Sequence, residues 1–222
     1  MAAVLILFLI ETTSSPSSSL LFSEKIGITS IFILCCILGI SFTIRPNWLQ
    51  YPITKLKDEE KNTHLQGERS FRGHHPDCPT FQNHTIQWKE KTWCAGCLGL
   101  LLGLCVTIAL MIMYLWTEFQ QTKTMSFLLL LLGLFILIVV YGEIIYRSHH
   151  PMVHTVINSL LPLSFSIVTM AVVGCTGEFV YGLFTILICF LWLDTRIRLS
   201  KWRHNLLCIQ CSESCKRFTD YT

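Results

Sequence analysis

The chain has 222 residues, of which 52% are hydrophobic and only 14% charged, with a mean hydropathy of +0.53. Soluble domains carry about 25% charged residues, so a water-soluble globular class is excluded and an integral membrane protein is indicated. The formal net charge of +3 follows from a few basic loops, and no nucleic-acid partner is expected.

Residues 1–25 form an extracytoplasmic tail or a signal-like segment. Ala2 to Ile10 is apolar but too short to span, since a spanning helix needs about 20 residues. It resembles a signal h-region, yet no Lys or Arg precedes it and no clear small-residue cleavage site follows. An uncleaved tail and a cleaved leader both stay open. Ser14 to Ser19 reads as a Ser/Pro linker. Residues 26–44 are the first span, closed by Arg45-Pro46, and Cys35 and Cys36 within it read as small apolar residues.

Residues 45–97 form the only large polar loop. Its first part, Lys55 to Arg72, is charged and expected to be exposed. Residues 74–97 carry the most informative pattern in the chain. His75 and Cys78 are two residues apart in the His-x2-Cys sense, Cys94 and Cys97 likewise, and fifteen residues separate the pairs. That is zinc-ribbon spacing with one Cys exchanged for His. Two ligands so spaced grip one face of a tetrahedral ion, and a second pair closes the other. Thr85 to Trp88, Lys89 to Lys91 and Thr92-Trp93 read as strand, turn and strand, a hairpin that would return Cys94 to Cys78. Asp77 is placed to orient a ligand from behind. His74 or His84 competes with His75 for the histidine position. A redox reading also stands, because Cys94 and Cys97 open a helix, and a helix N-terminus favours the thiolate. Asn83-His84-Thr85 matches a glycosylation sequon but falls on the cytoplasmic side in the topology derived below.

Cys94-Ala95-x-Cys97-x-Gly99-x-x-x-Gly103, preceded by His74-His75-Pro76-Asp77-Cys78, resembles an uncharacterised group of archaeal and bacterial multi-pass membrane proteins. The upstream element looks like the archaeal form; bacterial members carry Cys-His-Gln there, and Arg where Gly96 stands. The resemblance covers about residues 71–110 and the multi-helix layout. It implies an architecture and assigns no reaction.

Residues 98–116 are the second span, with Gly96, Gly99 and Gly103 on about one helical face, an arrangement that permits close helix approach. Residues 126–146 are the third. Glu143 lies near its end, and an intramembrane acid is a functional candidate, but Arg147 four residues on supplies a plain i,i+4 partner. Ser148-His149-His150-Pro151 is a tight turn, with Pro151 suited to the first helical position. Residues 152–173 are the fourth span, with Asn158 inside it and a kink expected at Pro162. Residues 179–193 are the fifth, short unless it borrows its flanks.

Residues 194–222 form a cytoplasmic amphipathic helix and a Cys-rich tail. Within Thr195 to Gln210, Ile197, Leu199, Trp202, Leu206 and Ile209 supply an apolar side, and Arg196, Arg198, Lys201 and Arg203 supply charge. Such a helix is expected to lie along an anionic lipid surface. His204, Cys208, Cys211 and Cys215 then offer four soft ligands for a second zinc, or an anchor for an iron–sulfur cluster. Incidental or lipidated cysteines are the alternative.

Alternating the loops between two sides puts fifteen Lys and Arg on one side and two, Lys25 and Lys123, on the other. The positive-inside rule then sets the N-terminus outside and the C-terminus in the cytoplasm of a cell-membrane protein. All the clustered cysteines and histidines face a reducing compartment, where paired cysteines read as metal sites or catalytic thiols.

The expected fold is an all-α integral membrane protein of about five spans with a small cytoplasmic zinc-knuckle hairpin. The expected function is a binding or scaffold role, with zinc stabilising a loop that presents Trp88, Trp93 and basic residues to an unknown cytoplasmic protein. One alternative is a metal-dependent membrane enzyme using Glu143, His149, His150 and His154, although no His-Glu-x-x-His is present. Another is a thiol oxidoreductase using Cys94 and Cys97. A transporter is disfavoured because ionisable residues are nearly absent from the spans.

Overall fold

The structure is a computed structural model that describes residues 22–44, 71–72, 85–88, 91–116, 122–145 and 150–210. Five helices are long and apolar enough to cross a membrane. They are α1 (Phe22–Ile44), α2 (Ala95–Trp116), α3 (Lys123–Ile145), α4 (Pro151–Thr176) and α5 (Phe179–Gln210). In hydrocarbon every backbone N–H and C=O must be satisfied within the segment, which is why these apolar runs are helical. Three short strands precede α2: β1 (Phe71–Arg72), β2 (Thr85–Trp88) and β3 (Lys91–Cys94).

Helix α4 is the centre of the bundle. In its most apolar stretch 61% is buried, against 22–28% in the other four, so the others surround it. Apolar side chains such as Leu34, Phe135, Ile138 and Leu187 are left exposed on the outer faces, as a bilayer-facing surface requires. The centre is made of Leu161, Val168, Ala171 and Val172 of α4 with Leu130 and Val140 of α3, Met111 of α2 and Ile28 of α1.

The seam between α2 and α4 depends on missing side chains. A Cβ at Gly99 would collide with the Thr155 carbonyl, and one at Gly103 with the Ser159 carbonyl and the Pro162 ring. The Gly96, Gly99 and Gly103 face expected from the sequence is therefore a packing face against α4. Helix α4 begins at Pro151, with His150 as its extended N-cap, and ends at Gly177. Gly177 has φ 67°, a left-handed conformation that glycine adopts without strain, and its N–H donates to the Val173 carbonyl at 2.8 Å.

Helix α5 differs from the sequence reading. The fifth span was expected to stop at Leu193 and a separate helix to start at Thr195, whereas one helix runs from Phe179 to Gln210. No Gly or Pro interrupts residues 194–210, so nothing local breaks it. Its 32 residues extend about 48 Å, longer than a hydrocarbon core of about 30 Å.

Strands β2 and β3 pair antiparallel, with Thr85 opposite Cys94 and Trp88 opposite Lys91, as the sequence suggested. Strand β1 was not foreseen. It pairs parallel to β3, Phe71 with Thr92 and Arg72 with Trp93, giving the order β1-β3-β2. Cys94 ends β3 and Ala95 begins α2, so the sheet joins the bundle without a spacer.

Candidate functional site

Because the helices alternate in direction, the start of α2, the end of α3, the start of α4 and the latter part of α5 meet at one end of the bundle. The sheet is at that end too. Each of these four helices brings a polar group there, and together they make a buried polar centre.

The link between α3 and α4 is a carboxylate–imidazole contact. Glu143 Oε1 stands 2.8 Å from His154 Nδ1, with the Glu143 side chain 7% exposed and that of His154 18%. The sequence reading had assigned Glu143 to Arg147 instead. Local spacing sees only neighbours on the same helix, and it missed a partner eleven residues on, across the turn into α4. Arg147 and His149 lie outside the described residues.

His154 also faces α2. A Cβ at Gly96 would stand 3.3 Å from His154 Nε2, 3.8 Å from Asn158 Nδ2 and 3.8 Å from Cys94 Sγ. Gly96 is therefore packed closely against an imidazole nitrogen, with an amide and a thiol next to it. Cys94 and Ala95 are fully buried there. Thr155 Oγ1 donates toward the Ala95 carbonyl at 3.2 Å, tying the first residue of α2 to α4, and toward the Pro151 carbonyl at 3.0 Å.

Asn158 carries the network on to α5. Its Nδ2 donates to the His154 carbonyl one turn back, and its Oδ1 accepts from Arg196 Nη2 at 2.7 Å. Arg196 was read as part of a polar helix face, but its guanidinium turns inward. Arg196 Nε and Glu143 Oε2 are both buried without a hydrogen-bond partner among the described residues. Tyr141, two residues before Glu143, donates its hydroxyl to the Trp192 carbonyl and lies 3.1 Å from Thr195 Oγ1, which fixes α3 against α5. Sequence reasoning singled out Glu143 and His154. It noted Asn158 only as a polar residue in a span, and only the tertiary fold joins it to Arg196.

The metal-ligand sets divide as follows. Of the knuckle, Cys94 is buried and Cys97 half-buried, one turn into α2. His74, His75, Cys78 and His84 lie outside the described residues, as do Cys211, Cys215 and the side chain of Cys208. His204 is buried on α5 at 8% exposure. His150 caps α4, and its carbonyl accepts from His154 N at 3.2 Å. Among the described residues no three His, Cys, Asp or Glu are grouped closely enough to hold a metal ion.

The register of the sheet bears on the segment between β1 and β2. Strand β1 runs toward Arg72, which lies beside Trp93, and β2 starts at Thr85, beside Cys94. The end of β1 at Arg72 and the start of β2 at Thr85 therefore both lie at the Cys94 end of β3. Compared with known proteins, the chain matches no family model, no curated protein and no solved structure.

Proposed function

We propose that this multi-pass membrane protein holds one Zn²⁺ at the cytoplasmic end of its bundle and uses the metal-stapled hairpin to bind a cytoplasmic protein. The ligands are Cys78, Cys94, Cys97 and one histidine, for which the spacing nominates His75. The observation that carries the reading is the sheet register. Both ends of the segment with His75 and Cys78 meet the sheet next to Cys94. Three short strands bury too little to hold such a loop, and zinc contributes on the order of 10 kcal/mol to a small domain. The fifteen-to-two charge split supports the cytoplasmic orientation, with the N-terminus outside. The motif over residues 71–110 supports kinship with the uncharacterised archaeal and bacterial membrane family.

A metal-dependent membrane enzyme is the second reading. The buried Glu143–His154 pair favours it, since ionisable groups inside a membrane bundle are costly to keep without a use. The thiol oxidoreductase reading has less support, because exchange needs an accessible thiolate and Cys94 is buried. A second metal on His204, Cys208, Cys211 and Cys215 rests on ligand type alone.

Elemental analysis of the detergent-purified full chain tests the proposal. About one zinc per chain is expected, lost in both Cys78→Ser and Cys94→Ser, with residues 73–84 becoming open to protease. Zinc-free protein that cycles reversibly between a Cys94–Cys97 disulfide and dithiol would sink the zinc reading and leave a redox role.

A further inference from the structure

We infer that the crevice between α1 and α5 is a lipid site: it takes one acyl chain of a phospholipid from the leaflet at the sheet end of the bundle, and Arg196 receives the phosphate. This goes beyond the zinc reading and does not rest on it. It requires only that the five apolar helices lie in a bilayer.

Helices α1 and α5 run in the same direction and touch at the end away from the sheet. A Cβ at Gly27 would stand 3.0 Å from the Phe179 ring, and one at Gly182 would stand 2.6 Å from the Ile28 side chain. Toward the sheet end the two helices leave a cavity of about 90 Å³. Phe32 and Gly39 bound it on α1, Ile186 and Leu193 on α5, and the central α4 contributes Leu161 and Pro162. Its walls are almost wholly apolar. Such a space stays dry but takes up apolar guests, as an engineered cavity of about 150 Å³ takes up benzene. Left empty, its lining loses dispersion contacts outright. Phe190 on its rim is 46% exposed, so the cavity opens to the bilayer side. The hydrocarbon found there is acyl chain, and a stretch of one chain fits a narrow space that closes at its far end.

Charge sets the direction of the lipid. On α5, Ile186, Cys189 and Leu193 share one face, and Arg196 continues it one turn nearer the sheet end. On α4, Asn158 precedes Leu161 and Pro162 by one turn. The Arg196–Asn158 hydrogen bond of 2.7 Å therefore crosses from α5 to α4 at the sheet end of the cavity. The guanidinium keeps a further buried donor, Nε, with no hydrogen-bond partner among the described residues. Glu143 Oε1 is engaged by His154, and no carboxylate among the described residues forms an ion pair with Arg196. A phosphate oxygen is the complementary acceptor, and hydrogen bonds between guanidinium and phosphate are among the strong ones. A phospholipid of that leaflet thus places its phosphate at Arg196 and one chain along α5 toward Ile186.

Native mass spectrometry of the full chain tests the site, with the detergent-purified protein offered equal amounts of dioleoyl-phosphatidylglycerol and dioleoylglycerol, which carry the same chains. Wild type should retain one phosphatidylglycerol per chain, preferred about tenfold or more over dioleoylglycerol, the scale of one hydrogen bond to a charged group. Cys36→Phe, which fills the cavity from α1, should lower that retention about tenfold. Cys189→Leu fills it from α5 and carries the same test if Cys36→Phe does not fold. Arg196→Gln should bind the two lipids about equally, because the guanidinium that tells them apart is gone. Wild type that retains no lipid or holds both equally would overturn the inference. So would wild-type retention in Cys36→Phe and Cys189→Leu. A lipid-free wild-type dimer that Cys36→Phe converts to a monomer would also overturn it, and would give the crevice to a second copy of the chain.

Discussion

The two halves of α4 differ in how far their polar side chains reach. In the half nearer Gly177, Ser164, Ser166 and Thr169 are buried, and each donates to a carbonyl of its own helix, at Leu161, Leu163 and Phe165. In the half that begins at Pro151, His154, Thr155 and Asn158 reach other helices: Glu143 on α3, the Ala95 carbonyl on α2 and Arg196 on α5. A hydroxyl satisfied by its own helix is equally satisfied in the separated helix, so its bond cancels from the energetics of assembly. A group satisfied by another helix loses that partner when the bundle opens. Polar residues in the half nearer Gly177 let the helix pack closely, whereas those in the half that begins at Pro151 make a polar centre between helices.

Two substitutions sharpen the contrast. The larger effect is expected for Asn158→Leu, which keeps side-chain bulk but removes the acceptor for Arg196. Hydrogen bonds to charged groups contribute about 1.5–3 kcal/mol, so unfolding of the full chain in mixed micelles should shift by about that much. The smaller is Ser164→Ala, expected within about 0.5 kcal/mol of wild type, because only an intrahelical bond is lost. Equal costs at the two positions would show that crossing between helices is not what distinguishes them.

Much of the architecture was legible in the sequence, because it is written in local patterns. The five apolar runs match the five helices to within a few residues, except that α5 continues to Gln210. The Gly99 and Gly103 face identified the α2–α4 seam, and the strand–turn–strand reading matched β2 and β3. Strand β1 was illegible because two residues, Phe71 and Arg72, carry no periodic signal. The polar centre was legible only in fragments. Glu143 pairs across a turn and Arg196 turns inward to a helix thirty-eight residues back, and neither partner follows from spacing along one helix. Gly96 illustrates the same limit. Read as part of a packing stripe, it proves also to be the point around which Cys94, His154 and Asn158 gather.

The proposed zinc would join the sheet, through Cys94 at the end of β3, to the bundle, through Cys97 on α2. Zinc-edge X-ray absorption of the purified full chain tests it most directly, because it reads ligand type and distance together. The prediction is three sulfurs at about 2.3 Å and one nitrogen at about 2.0–2.1 Å, with that nitrogen lost or replaced in His75→Gln. Protein without bound zinc, or zinc surrounded only by oxygen and nitrogen, would contradict it.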